Sequence, residues 1–433
     1  MFSIIYPDEA QPVPPAPTPL TLPAAWQLAT AHNKQVLLQR KQVAIGQELV
    51  KDRRMARLPK VQAAGQYAYL NNLVLFEPRH GLANGEGIAV PPSPHAFDAH
   101  LGAEWELYAG GRIRSDIEAG QLSAAVETER LALTEAEVRL RVAAAYLELV
   151  RSQLNEDLAE ATIRESEKQL RRIQALFRQG VVLRSDLLRA ELQLSRRQLL
   201  HTEIRNTLTL ANQRLNLLMG TPEDQPNEPV GGLPATPPLP TAYAAYLQQA
   251  RIQAPELKIA GLQTRLSETR LDDVEAARRP HLSLYADYGY TYPNRLVFPN
   301  VAQIYGLGQV GAKVSYNLSA LYTDRHAESA ARLAVERQQL AADEALDDKR
   351  LEVKTACVRY QESLERIRVA EQNIGQATEN YRIITRTYFN QLALLTDLLD
   401  ADNQLLQSRF DLVTAQTQAA SQYFQLQKAL GTL

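Results

Sequence analysis

The chain has 433 residues, is 45% hydrophobic and 22% charged, and carries a formal net charge of −2. That is the composition of an ordinary folded protein and shows no basic footprint for nucleic acid. The single cysteine, Cys357, excludes an internal disulfide and a multi-cysteine metal site, and no apolar run reaches the roughly 18 residues of a transmembrane helix.

The start, Met1-Phe-Ser-Ile-Ile-Tyr-Pro-Asp-Glu, has no basic segment and too short an apolar run for a signal peptide, which taken alone points to the cytoplasm. Pro7, Pro12, Pro14, Pro15, Pro17, Pro19 and Pro23 make residues 7–23 rich in proline, and residues 1–21 are expected to be a loosely held leader. A first structural repeat is expected over 22–221: a helix, a strand pair at 60–109 and a helical hairpin at 112–219. Residues 222–240, rich in Pro and Gly, read as a linker. A second repeat follows over 241–433, with a helix, a strand pair at 281–319 and a helical hairpin at 322–430.

Each half contains the same mixture of elements. Val61, Ala63, Gly65, Tyr67 and Tyr69 alternate with Gln62, Ala64, Gln66 and Ala68. Leu101, Ala103, Trp105 and Leu107 alternate with Gly102, Glu104 and Glu106. In the second half Leu282, Leu284, Ala286, Tyr288, Tyr290 and Tyr292 oppose Ser283, Tyr285, Asp287, Gly289 and Thr291. Val310, Ala312, Val314, Tyr316 and Leu318 oppose Gly311, Lys313, Ser315 and Asn317. Strands of about ten residues with an apolar face, a polar face and terminal aromatics carry the pattern of a membrane β-barrel. Residues 71–99 and 293–308 read as the loops joining them.

No proline occurs between Pro94 and Pro222 or after Pro299, and both spans have helical periodicity. Val138, Val142, Ala145 and Leu149 recur at gaps of 4, 3 and 4 residues. Ile204, Leu208, Ala211, Leu215 and Leu218 recur at 4, 3, 4 and 3, as do Ala415, Ala419, Gln422, Leu426 and Ala429. This is a coiled-coil-like seam with many small residues. The helical signal is unbroken from Arg112 to Gln179 and from Tyr322 to about Asn390. Each span is roughly 100 Å of helix at 1.5 Å per residue, and its many charges require water around it. Gly180-Val-Val-Leu-Arg-Ser185-Asp186 breaks the first and Gln391-Leu-Ala-Leu-Leu-Thr396-Asp397 the second. Ser185 and Thr396 are the expected N-caps of the helices that follow, with Asp186 and Asp397 at their positive ends.

The whole pattern is written twice. Pro59-Lys-Val-Gln-Ala-Ala-Gly-Gln-Tyr67-Ala-Tyr69 lies over Pro280-His-Leu-Ser-Leu-Tyr-Ala-Asp-Tyr288-Gly-Tyr290. Ser185-Asp-Leu-Leu-Arg-Ala190 lies over Thr396-Asp-Leu-Leu-Asp-Ala401. The fold class is therefore mixed: an internally duplicated chain with four β-strands and long coiled-coil helical hairpins. Four strands cannot close a barrel and lipid forbids open edges, so several copies must share one barrel. A barrel prolonged by helices into water is a conduit.

Doubled junctions carry a family resemblance. They are Arg54 with Pro59, Arg279 with Pro280, the run Leu107-Tyr-Ala-Gly110-Gly111-Arg112, and the Asp-Leu-Leu helix starts. From about residue 20 to 433 the chain resembles the TolC-type outer membrane factors. The resemblance implies a homotrimer in the bacterial outer membrane, with a 12-stranded β-barrel in lipid and an α-helical barrel in the periplasm. It implies a periplasmic adaptor and an inner membrane pump, of RND or ABC type, as partners. The chain departs from the pattern where a second Gly-Gly junction reads Ala320-Leu-Tyr322 and where an Asn-Pro pair reads Asn33-Lys34. A signal peptide and an N-terminal lipid-anchor cysteine are also missing from the pattern, so a mature or truncated form or a mis-assigned start is expected.

Asp397 and Asp400 are i, i+3 on one helix face. The resemblance places them at the narrow periplasmic end, where a trimer would stack two rings of three carboxylates as a cation-favouring gate. Helix-start chemistry alone would also explain them. Tyr388 matches a constriction tyrosine of the family, or else packs between helices, and Ala393 stands where relatives often have Arg. Leu183, Arg184 and Ser185 with Leu394, Leu395 and Thr396 lie at the hairpin tips that the family uses for adaptor docking. Turn chemistry explains the Ser and Thr but not leucines that read as exposed. No catalytic constellation, phosphate loop or cofactor site is visible. No two of the seven histidines stand i, i+4 with acids at ligand spacing, so no metal is expected. An efflux duct for small molecules is the leading expectation. An exit duct for type I protein secretion is the near rival, and a soluble coiled-coil scaffold a remote one.

Overall fold

The computed structural model describes residues 18–70, 76–77, 81–82, 93–233, 243–293 and 301–433. The elements in chain order open with β1 (Thr18–Leu20), α1 (Leu22–His32), α2 (Lys34–Met55), β2 (Lys60–Tyr69), β3 (Phe76–Glu77), β4 (Gly81–Leu82) and β5 (His95–Ala109). Helices α3 (Arg112–Arg178) and α4 (Arg184–Met219) and strand β6 (Asn227–Pro229) follow. The second half contributes α5 (Tyr243–Gln253), α6 (Pro255–Ala276), β7 (His281–Tyr292), β8 (Tyr305–Ser315), α7 (Ala320–Thr323), α8 (Arg325–Phe389) and α9 (Leu395–Leu430). The long helices α3 and α8 have 67 and 65 residues. The chain folds into two compact units, each drawn from both halves: Met1–Val43, Glu127–Ala260 and Ala342–Leu433 in one, Ala44–Val126 and Gly261–Ala341 in the other.

The first unit is helical. The periodic residues Val138, Val142, Ala145 and Leu149 of α3 are at most 4% exposed, and Leu215 of α4 is wholly buried. With Ala25, Ala29, Val36, Tyr146 and Phe424 they form one apolar cluster. Truncating Leu215 to Ala would cost about 2–5 kcal/mol, the range for a buried leucine. Trp26 stands edge-on to Phe424 at 5.6 Å and donates its indole N–H to the Arg139 carbonyl at 2.9 Å. On the α9 side Ala250, Val353, Tyr360, Leu426 and Ala429 make a second cluster. Asn33, between α1 and α2, does capping work. Its Oδ1 accepts from the Gln35 N–H at 3.0 Å, and its Nδ2 donates to the Leu218 carbonyl.

Segments read as leader and linker contribute a parallel ribbon, β1 against β6. Tyr146 donates its hydroxyl to the carbonyls of Leu20 and Val230, both at 3.2 Å. Asn216, wholly buried, donates to the carbonyls of Glu223 and Gln225 and accepts from Thr221 and Asn227. Every polar atom of that buried amide is satisfied, which fixes the chain after α4.

The second unit holds an antiparallel sheet in the order β2-β5-β7-β8. The register follows the alternation except at one bulge in β5 and at the end of β8, which stops at Ser315 and leaves Tyr316 and Leu318 outside the strand in which they were expected. Val61 lies opposite Ala103, Ala63 opposite Leu101, Leu101 opposite Tyr288, and Leu284 opposite Ala312. Two readings are corrected. Residues 95–99 and 305–308, taken as loop, are strand; Phe97 and Ala99 against Asp98 and His100 continue the alternation of β5 into the span taken as loop, while Gly306 and Gly308 hide it in β8. A bulge between Glu106 and Tyr108 puts Tyr108, not Leu107, opposite Leu282 on the apolar face.

The strand-to-helix junction after β5 depends on Gly110 at φ 65°. A Cβ there would fall against the Ala276 carbonyl oxygen and 2.9 Å from Arg279 Cβ. Arg279 donates to the Gly110 carbonyl at 3.0 Å, closing the corner. The second half, which lacks the glycines, makes its corner with the single helical turn α7.

Candidate functional site

Two regions have features that packing alone does not explain. The sheet is one. Its apolar face leaves Val61 65%, Tyr67 66% and Val310 85% exposed, far more apolar surface than a soluble sheet presents to water. The opposite face carries Gln62, His100, Glu104, Asp287 and Lys313 around a trough of about 640 Å³. Asp98 ties that face together: its Oδ1 lies 3.0 Å from His100 Nδ1, and its Oδ2 accepts from Thr291 Oγ1 at 2.7 Å. Among the described residues β2 and β8 are edge strands with no partner on their outer sides.

The hairpin tips are the other region. Both follow one plan. Helix α3 ends with Gly180 at φ 72°, its N–H bonded to the Phe177 carbonyl and that of Val181 to Leu176. Helix α8 ends with Gln391 at φ 65°, and the same pair of bonds runs from Gln391 to Tyr388 and from Leu392 to Thr387. Both are left-handed C-caps. The expected N-caps are corrected. Leu183 and Leu394 occupy the cap positions in extended conformation, so Ser185 and Thr396 already lie inside the first helical turn. The capping work falls to the aspartates. Asp186 Oδ2 accepts from the Leu183 N–H at 3.4 Å, and Asp397 Oδ2 from the Leu394 N–H at 3.2 Å. This is half of a capping box, because leucine offers no oxygen for the reciprocal bond.

Beneath the tips Ile173, Ala190, Tyr388, Leu395 and Leu398 form an apolar cluster. Leu395 is therefore corrected from an exposed tip residue to a core one, 3% exposed. Leu183 and Leu394 remain about 70% exposed, and Arg184 is exposed as well. Tyr388 is buried, its hydroxyl covered by its own chain with no hydrogen-bond partner among the described residues. Burial, and next the charge of Asp186, push its phenol up. Asp397 and Asp400 are both exposed on α9. Among the described residues Asp400 enters no hydrogen bond or ion pair, so its carboxylate is the freer of the two.

One turn further along α9 is a buried polar link that periodicity cannot reveal. Arg197 Nη2 donates to Asp402 Oδ2 at 3.0 Å and to Asn403 Oδ1 at 2.8 Å, and Gln193 reaches the same Asn403 oxygen. Burial holds the Asp402 carboxyl above the usual aspartate range, outweighing the lowering by Arg197. Removing one partner would leave the other buried and uncompensated.

The family model described as outer membrane efflux protein matches residues 25–221 and 246–432. The chain belongs to the outer membrane efflux protein family. As a member of that family it is a protein of the bacterial outer membrane, in a family of channels rather than enzymes. Solved channels share its fold: OprN at TM-score 0.77 and 19% identity, covering 95% of this chain and 90% of that one. VceC from Vibrio cholerae superposes at TM-score 0.76 and 18% identity, covering 95% and 96%. Among curated relatives, the alkaline protease secretion protein AprF of Pseudomonas aeruginosa is 26% identical over 309 residues, 68% of this chain. The match spans 63% of that relative's length.

Proposed function

We propose that three copies of this chain close a 12-stranded barrel in the outer membrane and act as a passive exit duct for small molecules. The observation that carries this reading is the four-stranded sheet, apolar and exposed on one face, polar on the other, with two edge strands open among the described residues. Lipid tolerates no open edge, so neighbouring copies must pair β2 with β8. The polar face, with Asp98, Glu104, Asp287 and Lys313, then lines a water-filled passage. Energy comes from a pump of the inner membrane, reached through a periplasmic adaptor. Leu183, Arg184, Ser185, Leu394 and Thr396 form the adaptor's docking tips in this proposal, with Leu395 and Tyr388 packing beneath them. Asp397 and Asp400 set the charge at the narrow end.

A second reading, the exit duct of a type I protein secretion system, is favoured by the similarity to a protease secretion protein. Deleting the gene separates the two. Increased susceptibility to dyes and antibiotics, restored by complementation, supports efflux. Loss of one protein from the culture medium with unchanged susceptibility supports secretion. Electron microscopy of detergent-extracted protein tests both at once, since a particle without threefold symmetry overturns the shared channel reading.

A further inference from the structure

Helices α3 and α4 bring together three ligand-type side chains that have no part in the duct. Glu156 and Glu160 stand four residues apart on one face of α3, and His201 of α4 faces them. One ligand atom of each lies within 4.8 Å of the others. His201 Nε2 is shut off from solvent yet has no hydrogen-bond partner among the described residues. It is 3.9 Å from Glu160 Oε1, beyond hydrogen-bond reach. Buried nitrogens are rarely left in that state. Glu160 Oε2 meets Arg164 Nη1 at 3.4 Å, which leaves Oε1 directed at the histidine.

We propose that Glu156, Glu160 and His201 form a binding site for a borderline divalent transition metal of the Zn2+ type. A neutral imidazole supplies one lone pair and each carboxylate one oxygen, a donor set that suits such an ion better than Mg2+ or Ca2+. Around a tetrahedral zinc the donors stand roughly 3.4 Å apart, given bonds of about 2.1 Å. Closing from spacings within 4.8 Å to that value asks for shifts of about 1.4 Å or less between donor atoms. The three protein ligands leave a fourth position for water. The bound ion would satisfy His201 Nε2, neutralise the paired glutamates and cross-link the two arms of the hairpin. The sequence could not show this set, because its acids lie four residues apart while the histidine joins them only through antiparallel packing.

The test uses the full-length protein in detergent, without a histidine tag and stripped with chelator, titrated with Zn2+ by calorimetry and with Co2+ by visible absorption. The expected result is one Zn2+ per protomer and Co2+ bands of a low-symmetry site. His201→Gln, and separately Glu156→Gln with Glu160→Gln, should weaken binding at least about tenfold, as loss of a metal ligand does. Zn2+ should raise the unfolding temperature of the wild type by about 2 °C or more, and leave that of His201→Gln unchanged. Equal Zn2+ affinity in wild type and His201→Gln overturns the site. So does a wild type that shows no stoichiometric binding. Neither outcome bears on whether the protein is a channel.

Discussion

Tyr360 is 1% exposed beside Tyr246 and Tyr423, its ring 5.6 Å from that of Tyr423, and burial first, then those two phenols, push its own phenol up to about 12. An unfolded tyrosine titrates near 10. The neutral form is thus favoured by folding, and its contribution is complete below pH 10. As pH rises from 10 towards 12 the unfolded chain ionises first and that contribution is lost. Tyr360→Phe should flatten the fall of the unfolding temperature across this window, read by circular dichroism of matched samples; an unchanged slope would assign the alkaline loss elsewhere. The Arg197–Asp402 pair makes a different prediction. Its side chains are 8% and 11% exposed, so Asp402→Ala strands a buried guanidinium and should cost about 3 kcal/mol. Replacing both, Arg197→Met with Asp402→Leu, should recover most of that loss, because two desolvated charges disappear together. A double variant no more stable than Asp402→Ala would show that the loss does not come from the stranded guanidinium.

At the scale of elements the two helical hairpins are a natural experiment in turn chemistry. Gly180 and Gln391 adopt the same left-handed conformation in the same bonded turn, and only the first is glycine. Nothing lies within 4 Å of a Cβ built on Gly180, so Gly180→Ala is a pure test of backbone strain, with an expected cost of about 1 kcal/mol. Gln391→Gly removes that strain and should stabilise by up to about 1 kcal/mol, less the entropy glycine adds to the unfolded chain. Thermal unfolding of both variants decides it; a destabilising Gln391→Gly would mean that the glutamine side chain makes up the difference. These turns also show what the sequence discloses. The long helices, the alternating strands and the duplicated breaks were legible because each imposes a period or a breaker on the residues themselves. Ser185 and Thr396 look like caps because their residue type suits the role, yet the chain enters the helix two residues earlier, at Leu183 and Leu394. Leu395 looks like its neighbour Leu394, and only the packing of Ile173, Tyr388 and Leu398 around it shows that it is core. The ribbon of β1 and β6 has three residues per strand and contains proline, too little for a pattern to form. Asn216 and Tyr146, which hold it, gave no signal because both donate to backbone carbonyls, which any residue type supplies.

For the whole molecule, the charge that the proposed trimer would place at its narrow end is the property most open to measurement. Asp397 and Asp400 share a face of α9, but the structure gives them unequal work. Asp397 accepts the Leu394 N–H and so stabilises the start of its helix, as Asp186 does in the first half. Asp400 has no such duty, and its counterpart in the first half is Arg189, so a trimer would carry the acidic pair once per protomer rather than twice. In the proposed trimer Asp400 contributes a ring of three carboxylates. With each charge about 8 Å from an ion on the axis, in water and partly screened, the ring favours a cation by on the order of 1 kcal/mol, or about fivefold in permeability. Asp400→Asn should therefore lower the cation-to-anion permeability ratio by that factor, read from reversal potentials in planar bilayers under a salt gradient, with little change in unfolding temperature. Asp397→Asn should change both, losing selectivity and, through the weakened helix start, about 0.5–1 kcal/mol of stability. Unchanged selectivity in the double variant would mean that these carboxylates face away from the passage. The acidic pair would then be helix-start chemistry alone, and selectivity would have to arise on the polar face of the sheet, where Asp98, Glu104 and Asp287 are the acids to replace next.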